Sequence, residues 1–191
     1  MSRPTRGYLA AAVTLGVALV ATACSGGDDD SPPGPSSSAP APISTTVKVG
    51  AVEGALPAKD AKQAADSVAA VVDGWLDAAF VGGDYPRDDF ADAFPGFTKG
   101  AAAQASQSLK LMSNADIGSR IDGVTVDKRA VAVDLLGVKK KPEGATARVR
   151  LVFDTTGDVE RKVAVTGRLM LTPDSSGTWQ IFGFDVAKGK K

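Results

Sequence analysis

The chain has 191 residues, of which 43% are hydrophobic and 23% charged, which suits one globular domain with appendages. Its 22 basic and 22 acidic residues cancel, so no overall field attracts nucleic acid, and no nucleic-acid partner is predicted. Histidine is absent and cysteine occurs once, which excludes histidine acid–base catalysis, an intramolecular disulfide and a cysteine-based zinc site; no cofactor or metal is predicted.

The amino terminus has the pattern of a secretory signal. Arg3 and Arg6 precede a run of fifteen uncharged, mostly apolar residues, Leu9 to Ala23. Such a run is shorter than the roughly 20 residues of a membrane-spanning helix. A basic start, a short apolar run and small residues before a cleavage site are typical of a signal peptide. Residues 1–23 are therefore predicted to be removed.

The single cysteine follows this run directly. Ala21-Thr22-Ala23-Cys24 resembles a bacterial lipobox, with small residues before a cysteine that becomes the first residue of the mature chain. The resemblance implies cleavage between Ala23 and Cys24, a diacylglyceryl group on the sulfur, and a membrane partner reached through this lipid anchor. Paired acyl chains hold stably because each buried CH₂ contributes about 0.8 kcal/mol. The alternative is an ordinary secretory signal with a fortuitous cysteine.

A polar segment rich in glycine, serine and proline follows Cys24. It has almost no large apolar side chains, so it cannot bury enough surface to offset the entropy of ordering its backbone. Residues 24–58 are predicted to be a lipidated, disordered linker, and residues 59–191 to be the folded domain.

The domain begins with helical periodicity. Apolar residues recur every three or four positions from Asp60 to the Gly82-Gly83 pair, which predicts one long amphipathic helix with a capping-box start at Asp60 and a glycine stop. A short helix is predicted from Pro86 to the residue before Pro95, because proline favours the first helical position. A third helix is predicted over residues 98–112.

Beyond Ser119 the period changes to two. Alternating apolar and polar residues predict strands over 129–138, 145–156, 160–173 and 178–189, separated by the turn sequences KPEG, TTGD and PDSSG. Helices followed by a meander predict an α+β fold: one long and two short helices packed on a curved antiparallel sheet of about four strands.

The last strand carries a family resemblance. Residues 177–186, GTWQIFGFDV, together with Trp75-Leu76 in the long helix, resemble the nuclear transport factor 2-like (cystatin-like) superfamily over residues 60–188. Within it the chain is most similar to membrane-tethered envelope proteins of actinobacteria, including mammalian-cell-entry-associated proteins. The resemblance implies an extracytoplasmic domain, a cone-shaped cavity between sheet and helices, and sheet-to-sheet homodimers as a frequent association.

Six aromatic side chains are candidates to line that cone, although the same spacing is typical of core residues. They are Trp75, Phe80, Phe90, Trp179, Phe182 and Phe184. Two strand carboxylates, Asp134 and Asp185, sit among apolar residues and are the candidate acid–base groups. Strict alternation instead places each of them on the solvent face of its strand.

Three functions remain open at this point. The first is a non-catalytic binding module of the cell envelope, contacting an envelope protein or a second copy of itself. The second is a carrier that shelters a lipid or another apolar small molecule in the cone. The third is an isomerase- or cyclase-type enzyme that uses Asp134 or Asp185. The first is preferred because no catalytic constellation is recognisable.

Overall fold

The computed structural model describes residues 43–190. A long helix packs on one mixed sheet, so these residues form an α+β unit. The strands lie side by side in chain order: β1 (Thr46–Glu53), β2 (Gly123–Val138), β3 (Lys141–Thr156), β4 (Arg161–Pro173) and β5 (Trp179–Lys190). The helices are α1 (Ala58–Leu76), α2 (Lys99–Gln107) and α3 (Leu109–Met112), with a π-helical turn at Asp77–Val81 and a 3₁₀ turn at Gly118–Arg120.

The first strand corrects two predictions. β1 lies inside segment 24–58, which composition predicts to be a disordered linker, so the folded unit begins before residue 59. It pairs with β2 in parallel, so the sheet has five strands and is mixed, whereas four antiparallel strands are predicted. The helical segment between β1 and β2 supplies the long connection that a parallel pair requires. Val47 anchors the strand by packing against the core.

The pairing of β1 with β2 shifts register between Val49 and Val52, as at a β-bulge. The Asp134 carboxylate accepts a hydrogen bond from the Ala51 N–H at 2.9 Å and so satisfies a donor that the bulge exposes. A side chain at Gly50 would collide with this carboxylate, which explains the glycine at that position.

The long helix is confirmed. Its buried stripe faces the sheet and consists of Ala61, Ala64, Ala65, Val68, Ala69, Val72, Trp75 and Leu76. The helix begins at Ala58, with Pro57 as its N-cap, so the predicted capping box at Asp60 does not start it. The predicted glycine stop is correct, because the Gly82 N–H closes the final turn on the Asp77 carbonyl at 2.7 Å.

Residues 86–94 do not form the predicted second helix. The Arg87 N–H donates to the Gly118 carbonyl at 2.9 Å, and the Arg87 guanidinium donates to the Ala78 carbonyl at 2.8 Å. These long-range hydrogen bonds hold the segment as a loop that closes over the end of α1. Phe90 is buried all the same.

The third predicted helix is present but interrupted. Thr98 is its N-cap and its hydroxyl accepts from the Ala101 N–H at 3.3 Å. α2 and α3 meet at Ser108, where the backbone leaves the helical conformation.

The four predicted strands are confirmed as β2 to β5. Their alternation defines an inner face, which packs on α1 through residues such as Val133 and Leu169, and an outer face turned away from α1. The turn between β2 and β3 is Lys139–Lys140, with φ of 51° and 65°, rather than the predicted KPEG, whose residues begin β3. A two-residue turn matches the twist of the paired strands when both residues have positive φ.

Candidate functional site

The space between α1 and the sheet is filled by side chains. Trp75 and Phe80 are 0% exposed, and their rings meet edge to face with centroids 5.6 Å apart. Phe90 is also buried in this cluster. A cavity large enough for a ligand would leave exposed surface on its walls, so these three residues are core side chains and not the predicted pocket lining.

The other three aromatic candidates lie in different surroundings. Trp179 is nearly buried and forms one wall of a groove of about 570 Å³ beside α1. Phe184 packs against the Phe97 ring, with centroids 6.2 Å apart. Phe182 is 51% exposed on the outer face, where the pairing of β4 with β5 is irregular beside Met170. The six candidates therefore do not form one pocket. Phe182 is the extra residue at this irregularity, between the buried Ile181 and Gly183, which pairs with Met170.

An exposed groove lies on the outer face around Phe182. Its volume is about 420 Å³, and it is lined by Leu136, Gly144, Thr146, Met170, Thr172 and Phe182, among others. Leu136 is 50% exposed and Val138, at the adjoining end of β2, is 45% exposed. Exposed apolar side chains gathered on one face are typical of an interaction surface. Sequence reasoning missed this site, because strict alternation predicts that outer positions are polar.

The two candidate catalytic carboxylates point away from the interior. Asp134 on β2 accepts from Arg148 at 2.9 Å as well as from Ala51, and Asp185 on β5 accepts from Arg168 at 2.9 Å. Three strand spacings separate β2 from β5, and Asp185 lies two residues along from the row of Asp134, so the two positions are more than about 14 Å apart. Each aspartate makes a local ion pair, and the two do not converge on one substrate atom. The placement on the solvent face that alternation predicts is correct for both.

Three cations and one carboxylate lie in a single row across the same face. Lys48, Ala132, Arg148, Arg168 and Asp185 occupy one row of neighbouring positions on the five strands. Arg148 and Arg168 are thus direct neighbours, and their side chains are 54% and 62% exposed. Opposed like charges on adjacent strands normally destabilise a sheet.

An ion-pair network centred on the buried Arg129 joins α1 and the turn that follows it to β2. The Arg129 guanidinium donates to Asp73 at 2.8 Å, to Asp77 at 2.6 Å and to the Asp73 carbonyl at 2.7 Å. Burial opposes the charged form of Arg129, but the hydrogen bond to Asp77 and the charge of Asp73 together raise its pKa. Thr45 also donates to Asp73, at 2.7 Å, which fastens the residue before β1 to the helix. The network therefore connects β2, the helix and the residue before β1.

A second network surrounds Lys188 at the inner face of β5. Its ammonium donates to the Ser113 carbonyl at 2.6 Å and to Asp116 at 2.5 Å, and lies 5.8 Å from the Phe80 ring centroid. Burial lowers the pKa of Lys188 more than the hydrogen bond to Asp116 raises it. The amine is committed to these two acceptors, so it fixes the α3–β5 contact.

Within residues 43–190 no three histidine, cysteine, aspartate or glutamate side chains are grouped as metal ligands, and no helix there is long and apolar enough to cross a membrane. Ala23 and Cys24, the predicted cleavage and lipidation sites, lie outside these residues. No known protein family, curated protein or solved structure matches the chain.

Proposed function

We propose that this chain is a lipoprotein anchored through Cys24 to the extracytoplasmic face of the cell membrane, and that its folded unit is a non-catalytic binding module of the cell envelope. The observation that carries the proposal is the position of the single cysteine, directly after a short apolar run and two small residues at the lipobox positions. A cysteine used for acylation needs no partner elsewhere in the chain, and there is none.

The tether is shorter than its composition alone suggests. Since β1 begins at Thr46, only residues 25–45 separate the anchor from the sheet. Twenty-one residues reach at most about 75 Å even when fully extended. The proposed module therefore works close to the membrane surface.

The packed interior supports a binding module over the two other functions. A carrier needs space where Trp75 and Phe80 pack, and an isomerase needs carboxylates that converge, whereas Asp134 and Asp185 are apart on the exterior. The order of elements, with a long helix, shorter helices and a meander ending in residues 177–186, supports a nuclear transport factor 2-like domain whose cone is filled by its own side chains. The groove around Phe182 is its proposed contact surface.

Expression of the full chain in a bacterium, followed by membrane fractionation and intact-mass measurement, tests the anchor. We expect mature protein that begins at Cys24 with the added mass of a diacylglyceryl group. Cys24→Ser should accumulate as unprocessed precursor or be released, whereas the matched control Ser25→Ala should be processed and retained. A processed Cys24→Ser protein that stays in the membrane would contradict the proposal, as would a mature wild-type chain without acyl groups.

A further inference from the structure

The outer face carries an apolar patch with cations at both ends. The patch consists of Leu136, Val138, Met170 and Phe182, of which Phe182 is the most exposed at 51%. At one end the β2–β3 turn presents three exposed lysines, 139 to 141. At the other end, two residues along β3 and β4 from the groove floor, lies the arginine group formed by Lys48, Arg148, Arg150 and Arg168.

Only part of the arginine group is neutralised by ion pairs with the described residues. Arg148 and Arg168 each meet one carboxylate, at 2.9 Å. Lys48 and Arg150 are exposed and make no ion pair with any residue in the described range 43–190. Arg148 and Arg168 are direct neighbours and Arg150 lies two residues from Arg148 on β3, so an external anion would relieve the repulsion among these three.

Carboxylates on and around the patch do not cancel these cations. They are Glu53, Asp134, Glu143, Asp174 and Asp185, five against the seven cations of the two ends. The surface is therefore positive although the whole chain is neutral. The apolar side chains lie between the two cationic ends. A flat partner therefore contacts the apolar and the charged side chains at the same time.

The shape favours a surface over a small ligand. A binding pocket usually buries about 70–90% of its ligand. Side chains that are half exposed, such as Leu136 and Phe182, cannot enclose a molecule to that extent. An anionic bilayer supplies phosphates for the cations and an acyl boundary for the apolar side chains.

We propose that the outer face docks on the anionic lipid surface of the membrane that carries the chain. The inference depends on the proposed lipid anchor, because a tether of residues 25–45 keeps the face at a high effective concentration beside the bilayer. Docking places Phe182 and Leu136 at the boundary between headgroups and acyl chains, with the arginine group against phosphates.

Depth-dependent quenching on the mature, lipidated protein tests the docking. Because Cys24 is acylated in that protein, a new cysteine at Thr172 on the groove rim takes a single fluorophore, and one at Ser67 on exposed α1 is the matched control. The labelled proteins are reconstituted in vesicles of phosphatidylglycerol and phosphatidylcholine, or of phosphatidylcholine alone, with a quencher on the acyl chains. We expect the label at residue 172 to be quenched only with phosphatidylglycerol, and the label at residue 67 in neither.

Variants that remove positive charge then test whether these cations cause the docking. Neutralising one cation should lower the docked-to-undocked ratio about fivefold, the equivalent of ~1 kcal/mol. Lys48→Gln with Arg150→Gln should therefore lower it about 25-fold, and neither substitution removes an ion pair from the fold. Lys59→Gln with Lys99→Gln changes the net charge equally, at exposed helical positions, and should leave the ratio within about twofold.

Three results would overturn the inference. Equal quenching at residue 172 in phosphatidylcholine would mean that charge plays no part. An unquenched label on vesicle-bound protein would mean that the face stays in water. A label at residue 172 that is more shielded from water at higher protein density, but is not quenched by the lipid, would mean that a second copy covers the face. Protein that does not stay with the vesicles at all lacks the anchor, which contradicts the proposed function instead.

Discussion

Truncation of one buried phenylalanine distinguishes a packed interior from a hollow cone. Phe80 is 0% exposed, packs edge to face on Trp75 at 5.6 Å, and lies 6.3 Å from the Phe153 ring centroid. Phe80→Ala removes about 1.5–3 kcal/mol of burial free energy and an aromatic pair of about 0.5–1.5 kcal/mol. With the cavity left behind, we expect the free energy of unfolding to fall by about 3–5 kcal/mol.

Phe182→Ala is the matched comparison, because the same atoms leave a half-exposed site. Because about half of this ring is buried, we expect a loss of only about 1 kcal/mol. Urea unfolding followed by tryptophan fluorescence measures both, since Trp75 and Trp179 report on the core and on its rim. At about 2–4 °C per kcal/mol, Phe80→Ala should also lower Tm by roughly 10 °C.

If Phe80→Ala does not fold, Phe80→Leu is measured in its place. The free energy of unfolding of Phe80→Leu should lie between that of wild type and that expected for Phe80→Ala. A loss below about 1 kcal/mol for Phe80→Ala would mean that the ring borders open space. The cone would then be hollow, and the carrier function would regain its physical basis.

Three further substitutions test the contacts that set the fold. Gly50→Ala forces the Asp134 carboxylate off the exposed Ala51 N–H, so we expect a loss of about 0.5–1.5 kcal/mol by denaturant titration and faster amide exchange in β1; unchanged exchange would refute the bulge geometry. Arg129→Met leaves two partly exposed carboxylates without their cation, and should cost about 2–3 kcal/mol, less than for a fully buried pair; a neutral result would mean that burial offsets the ion pairs. Because burial lowers the pKa of Lys188 below its ordinary 10.5, the unfolded chain binds the proton more tightly, and the stability of wild type relative to Lys188→Met should rise with pH up to about 10.5; a flat difference would contradict this.

The local sequence pattern was sufficient to predict the helix and strands that bury one face. Period-two alternation located β2 to β5, and helical spacing located α1, because burial of one face sets the same period in sequence and in structure. Val47 and Val49 carry the same alternation in β1, but eight residues after a proline-rich segment were too short to stand out from it.

Features that depend on distant contacts were not accessible in this way. The loop at 86–94 is held by a hydrogen bond between Arg87 and Gly118, residues far apart in sequence. β5 has one extra residue, Phe182, where its register with β4 shifts, so the inward positions change from Ile181 to Phe184. Phe182 was identified from the sequence as a candidate residue, but its place in an exposed groove was not.

The most direct test of contact through the outer face uses methionine oxidation on native membranes. The chain beyond Cys24 contains two methionines: Met112, fully buried beside Trp75, and Met170, in the exposed groove. Brief peroxide treatment followed by mass spectrometry compares the membrane-anchored protein with a form secreted without Cys24. We expect Met170 to be protected on the membrane and oxidised in the secreted form, with Met112 slow in both. Oxidation of Met170 at equal rates, or protection confined to Met112, would contradict a module that makes its contacts through the exterior of its sheet.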